Sequence, residues 1–212
     1  MLSKPESHDH AFKGVNIVAR TIGTMWLWLT GWRAVGALPN VKKAVVIAAP
    51  HTSGWDFVHM IAVAWHLNLD VKWFGKHTLF ESAFGWFFRG AGGIPVDRRH
   101  PHGMVGSIAD RFASSDKLLL AVPAEGTRDF RPYWKSGFYH IARTADVPVV
   151  FGFIDFQRKE AGFGPSLQLS GDMRADMDVV RGFYSTLTAY RPEDYSTIRL
   201  RGEEEEGSST DG

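Results

Sequence analysis

The sequence predicts an α/β layered domain, and three observations carry that prediction. Short apolar runs rich in β-branched residues recur along the chain, stretches of helical period separate them, and a polar cluster follows each of the first four runs. At 212 residues the chain suffices for one domain with a real core, because folding at this size buries roughly 70% of the unfolded surface.

The elements follow in order. A helical candidate covers about 14–37, and its run Thr21 to Trp32 (TIGTMWLWLTGW) contains three tryptophans. AVVIAAP (44–50) reads as a buried strand stopped by Pro50, and after the loop HTSGWD a helical pattern runs through FVHMIAVAWHL. VKWFG (71–75) is the second strand, 82–92 a short helix, GIPV (93–96) a brief strand and 102–113 a helix. KLLLAVP (117–123) is the fourth core strand, 135–145 a helix and VPVVFGFIDF (147–156) a long strand. SLQLS (166–170) would pair beside that last strand, and 174–190 has a helical period. We expect an N-terminal segment (1–40), a main domain (41–200) and a solvated acidic tail (201–212), with no internal repeat.

Composition narrows the chemistry. The absence of cysteine excludes disulfide scaffolding, a cysteine nucleophile and thiolate metal ligation. The formal charge of +1 hides an asymmetry, since five carboxylates and no Lys or Arg lie in 203–212, leaving 24 basic against 18 acidic residues over 1–202. A basic body suits anionic partners: phosphates, nucleic acid or an acidic membrane surface. The aromatic residues sit in apolar stretches rather than among Lys and Arg, which argues against a nucleic-acid platform. No secretory signal or spanning helix is expected, because the uncharged run between Arg20 and Arg33 is twelve residues against about twenty needed to cross a bilayer. Its tryptophans suit either a helix in the membrane–water boundary or one that covers the core.

Four polar clusters lie just past predicted strand ends, the edge where open α/β sheets form ligand crevices. They are His51, then Lys76 and His77, then Arg98 and Arg99, then Glu125 to Arg128. His51 and Asp56 have two readings. Ser53 followed three residues later by Asp56 is a capping-box pattern. Alternatively, Asp56 orients the His51 imidazole as a base for a hydroxyl proton. PAEGTR (123–128) likewise has two: Gly126 makes a turn while Glu125 pairs with Arg128, or Glu125 binds a substrate hydroxyl or orients the phosphate-gripping arginines. The remaining histidines show no spacing that demands a metal, and neither a GxGxxG nor a Walker lysine loop is present.

Taken together and in order, HTSGWD (51–56), GKHTLF (75–80), GGIPVDR (92–98), PAEGTR (123–128) and VPVV (147–150) resemble the motif blocks of the glycerolipid acyltransferase superfamily, the PlsC-like lysophospholipid acyltransferases. The resemblance covers about residues 44–152. It implies a mixed, mostly parallel central sheet flanked by helices, with an N-terminal amphipathic segment that associates with the membrane. It also implies transfer of a fatty acyl group from acyl-CoA or acyl carrier protein to a hydroxyl of a lysophospholipid-like acceptor such as 1-acylglycerol 3-phosphate, with no metal or bound cofactor. His51 matches the family's base and Asp56 its orienting acid. Arg98, Lys76 and His77 match phosphate contacts, and Glu125, Gly126, Thr127 and Arg128 match the acceptor-binding block. Ala124 between Pro123 and Glu125, and Asp129 where Ser is common, depart from the pattern and leave room for an acceptor other than lysophosphatidic acid. The expected location is cytoplasmic, peripheral to the inner face of the cell membrane. A glycolipid acceptor, a water-using esterase or thioesterase, and a non-catalytic lipid-binding module are the alternatives, the esterase disfavoured by the lack of a GxSxG elbow.

Overall fold

A computed structural model describes residues 2–3, 14–96 and 101–204. The described elements are β1 (Leu2–Ser3), α1 (Ile17–Thr30), β2 (Arg33–Val35), β3 (Lys43–Ala49), α2 (Gly54–His66), β4 (Val71–Lys76), α3 (His77–Glu81) and α4 (Gly85–Gly90). They continue with β5 (Gly93–Val96), α5 (Pro101–Ser114), β6 (Leu118–Val122), α6 (Gly137–Ala145), β7 (Val149–Asp155), β8 (Glu160–Leu167), α7 (Met173–Tyr184) and a 3₁₀ turn (Pro192–Asp194).

Among the described residues the strands form one sheet in the order β1-β8-β7-β3-β6-β4-β5, with β2 also paired to β8. The five strands β7, β3, β6, β4 and β5 run parallel, whereas β8 is antiparallel to β7. The predicted α/β architecture with a mostly parallel sheet is thus present. β3 is the central strand, and Ala44 to Ala49 are all buried because both faces of the sheet are covered. Side chains alternate across it: Val45 and Ile47 join Phe112, Phe138, Phe151 and Tyr184 on one face, while Ala44 and Val46 join Leu119, Val150 and Phe163 on the other.

The structure redraws four boundaries. Helix α1 stops at Thr30 rather than near 37, because Gly31 adopts the left-handed conformation (φ 71°) and its N–H caps the carbonyls of Leu27 and Trp28. The chain then turns Trp32 inward and lays Arg33–Val35 beside β8, so residues before 40 contribute to the main sheet. The region 82–92 holds only the short α4, preceded by a separate turn of helix, α3. The last strand spans 160–167 instead of 166–170. Its sequence EAGFGPSL looks like a loop, yet a Cβ at Gly162 would stand 1.8 Å from the Val35 oxygen, so glycine lets β2 approach where a side chain would block pairing. The beginning of the expected solvated tail is also packed: Glu203 is buried, accepts the Leu200 N–H and pairs with Arg181 at 2.9 Å.

Candidate active site

Parallel pairing brings the carboxyl ends of β3, β6 and β4, three adjacent strands, to one edge of the sheet. His51 follows β3, Lys76 ends β4, and Gly126, Thr127 and Arg128 follow β6. All five line the same cavity of about 480 Å³, a size usual for small-molecule sites. His77 opens α3 and is not part of the lining. Val96, the last residue of β5, is in register with Lys76, while Arg98 and Arg99 lie outside the described residues.

The cavity is polar only at this edge. Beyond His51 it runs between α2 and the sheet, walled by Phe57, Met60 and Ile61 on the helix side and by Val46, Ala121 and Gly152 on the strand side. It is therefore a mostly apolar slot whose strand-end edge is lined by a histidine, a lysine and an arginine. Two glycines shape this edge. Gly126 sits at φ 70°, where a Cβ would also come within 2.7 Å of the Lys135 side chain. At Gly54 a Cβ would lie 3.8 Å from the Arg128 guanidinium, which rests over the first turn of α2.

Asp56 forms the capping box, and the His51 imidazole lies beside it. Its Oδ2 accepts the Ser53 backbone N–H at 2.7 Å and its Oδ1 accepts the Ser53 hydroxyl at 2.8 Å, completing a capping box with the Ser53 oxygen on the helix N-terminus. The same Oδ2 stands 3.5 Å from His51 Nδ1. That exceeds an ordinary hydrogen bond of about 2.7–3.2 Å, and catalytic contacts are commonly long before substrate binds. Asp56 is 1% exposed and His51 21%, so the acid is sheltered and the imidazole opens to the cavity.

Glu125 corrects an expectation. It is buried and absent from the cavity wall, and it pairs with neither a substrate-facing position nor Arg128. One oxygen accepts the His51 backbone N–H at 2.5 Å and the other the Ser196 N–H at 3.1 Å. Burial pushes its carboxyl above the usual range, and these two N–H groups oppose that shift.

The sequence missed what holds α2 to α1. Trp26 Nε1–H donates to His59 Nδ1 at 3.2 Å, Trp32 stacks on the same imidazole with centroids 4.0 Å apart, and Trp55 stacks on Trp26. Burial pulls His59 down to about 4, the Asp56 charge only partly countering it. The three-residue step from Asp56 to His59 places both on the inner side of α2, which was the only available hint. No cluster of metal-ligating side chains occurs among the described residues, and none of their helices is long and apolar enough to cross a membrane.

Comparison with known proteins identifies the family and the fold. A family model described as Acyltransferase matches residues 33–151. The 1-acyl-sn-glycerol-3-phosphate acyltransferase of Streptococcus pneumoniae (strain ATCC BAA-255 / R6) is 28% identical over an alignment of 144 residues that covers 63% of this chain and 53% of that protein. The chain therefore spans about half the length of this curated relative. The crystal structure of the 1-acyl-sn-glycerophosphate (LPA) acyltransferase, PlsC, from Thermotoga maritima superposes with a TM-score of 0.56 at 15% identity, covering 81% of this chain and 79% of that one.

Proposed function

This chain belongs to the acyltransferase family, and from that premise we propose that it is an enzyme moving a fatty acyl group from a thioester donor to the hydroxyl of 1-acylglycerol 3-phosphate or a close analogue. The observation that carries this reading is the slot itself: a mostly apolar cavity that, among the described residues, gathers His51, Lys76 and Arg128 at its strand-end edge. The slot suits an acyl chain, the two cations suit a phosphate, and the imidazole lines the same cavity. The S. pneumoniae relative, named for a 1-acyl-sn-glycerol-3-phosphate acceptor, supports the same substrate class.

In this mechanism His51 Nε2 takes the proton of the acceptor hydroxyl as its oxygen attacks the thioester carbonyl. Asp56 faces Nδ1, selects the tautomer with its proton there and steadies the imidazolium that forms. Collapse of the tetrahedral intermediate breaks the carbon–sulfur bond, and the departing thiolate receives the proton from His51. The thioester is already activated, so positioning two substrates and managing one proton accounts for the chemistry. Acyl-CoA and acyl carrier protein both meet this requirement as donors.

The protein works at an anionic membrane surface in this reading. Helix α1 turns Gly23 and Leu27 toward α2, whereas Ile17, Val18, Ile22, Met25, Trp28 and Leu29 face outward and are exposed, Trp28 at 79%. Phe84 and Trp86, flanking the start of α4, are exposed as well, and neighbouring Phe87 packs edge-on against Trp65 of α2, the helix that α1 covers. An outward face this apolar suits the boundary of a bilayer.

The test is thiol release from acyl-CoA, and from acyl carrier protein, across lysophosphatidic acid, glycerol phosphate and an uncharged glycolipid. We expect acceptor-dependent release with the phosphorylated lysolipid, and a roughly 10²- to 10⁴-fold loss in His51→Ala, the usual worth of a positioned base. Full turnover in that variant would remove the mechanism. Release without any acceptor would make the protein a thioesterase.

A further inference from the structure

The chain after α7 carries no motif and lies beyond the residues matched by the family model. It nevertheless crosses the carboxyl ends of three adjacent strands in turn. At β7, the Phe156 N–H donates to the Thr188 carbonyl at 2.9 Å. At β3, the Arg191 N–H donates to Thr52 Oγ1 at 3.1 Å, and Thr52 is buried directly after His51. At β6, the Ser196 N–H reaches Glu125, whose other oxygen takes the His51 N–H. The strap is then fastened to the loop after Arg128: Ser196 Oγ accepts the Arg131 N–H, the Thr197 N–H donates to the Arg131 carbonyl, and the Trp134 N–H donates to the Arg199 carbonyl.

We propose that this strap, residues 188–200, and the buried Glu125 form a positioning device for His51. The proposal rests on the acyl-transfer reading and assigns Glu125 a role other than substrate binding. The loop from Ala49 to Ser53 carries the imidazole, and its own contacts do not anchor the His51 backbone: the Ser53 N–H goes to Asp56. The His51 N–H is held by a carboxylate on the next loop, and that carboxylate is held in turn by the strap. A carboxylate can do this because it only accepts, so it satisfies two converging N–H donors at once. Glutamine presents one oxygen and one NH₂ group, and the NH₂ would face a backbone N–H it cannot bond. Glu125→Gln therefore releases either the strap or His51 while leaving every residue of the cavity wall in place. A base displaced by a fraction of an ångström loses rate without losing substrate affinity.

The experiment measures kcat, both KM values and melting temperature for Glu125→Gln, Thr52→Val and Asp176→Asn, with His51→Ala alongside. Asp176 is the matched control. It too is a buried carboxylate accepting backbone N–H groups, from Ser170 and Gly171, but it follows β8, which runs antiparallel and delivers it to the opposite edge of the sheet. We expect Glu125→Gln to lower kcat roughly 10- to 100-fold with both KM values within about twofold. Thr52→Val, which cuts only the Arg191 bond, should lower kcat by about three- to tenfold. Asp176→Asn should melt earlier and keep its kcat. Unchanged kcat in folded Glu125→Gln while His51→Ala is inactive overturns the positioning role and leaves the acyl-transfer reading intact. If Glu125→Gln fails to fold, unchanged kcat in Thr52→Val overturns it. Equal kcat losses in Glu125→Gln and Asp176→Asn also overturn it, because that outcome reports general loosening. Full activity in His51→Ala defeats the underlying reading instead.

Discussion

Asp56→Asn preserves the shape of the side chain and removes its charge, which separates the helix cap this carboxylate forms from the catalytic role proposed for it. The backbone N–H of Ser53 cannot reverse its polarity, so the amide oxygen must take the Oδ2 position, 2.7 Å from that nitrogen and 3.5 Å from His51 Nδ1. The NH₂ group then faces the Ser53 hydroxyl, which rotates to accept. The cap survives in outline, losing the charge at the start of α2 and the charge assistance of two hydrogen bonds. That loss costs about 1–2 kcal/mol, or a melting point lower by roughly 2–8 °C for a chain of this size. The catalytic effect is larger, because the carboxylate charge facing His51 Nδ1 is gone. A hundredfold loss of kcat is the smallest effect we expect, and it corresponds to about 2.7 kcal/mol of lost transition-state stabilisation. Calorimetry and steady-state rates on one preparation compare the two. Ser53→Ala supplies the contrast: it removes the cap bond to Trp55 and the hydroxyl bond to Asp56 Oδ1 but keeps the carboxylate, its charge and the backbone bond to Oδ2, so stability should fall by at least about 1 kcal/mol with turnover within a few-fold of the parent. Asp56→Asn with a lowered melting point and near-normal kcat would refute the dyad and leave Asp56 as a helix cap alone.

Two further outcomes follow from the same structure. His59 accepts from Trp26 and so must stay neutral. Its folded value of about 4 lies below the ordinary 6.5, so protonation favours the unfolded chain, and stability falls as pH drops from about 6.5 to 4, by about 3 kcal/mol in all. Denaturant titrations at pH 7 and pH 4.5 should show this slope and His59→Phe should flatten it, whereas identical slopes in the two proteins would assign the pH dependence elsewhere. On the outer face of α1, Met25→Glu combined with Trp28→Glu should reduce partition onto anionic vesicles at least about tenfold, since each replaced side chain forgoes roughly 1.5–3 kcal/mol of burial. Sedimentation with liposomes reads this directly, and undiminished binding would place the membrane contact on another surface.

The local pattern determined the parts whose physics is local. Ala44–Ala49 forms a strand because a wholly apolar run with β-branched residues can be satisfied only between two covered faces, and the clusters at His51, Lys76 and Glu125 to Arg128 marked the carboxyl ends of parallel strands. The family likeness drew His51, Lys76 and Arg128 into one expected site before any of them had a position in space. Tertiary structure decided the rest, because those features depend on residues far apart along the chain. EAGFGPSL becomes a strand through neighbours that tolerate glycine, and α1 acquires an inner and an outer face only once Gly23 closes against Ala62 of α2. Glu125 looks like a substrate ligand in its hexapeptide, yet its two oxygens are claimed by backbone N–H groups 74 and 71 residues away. Such a partner is a peptide group, identical in every residue, so no side-chain pattern could announce it: only the path of the folded chain brings it within reach.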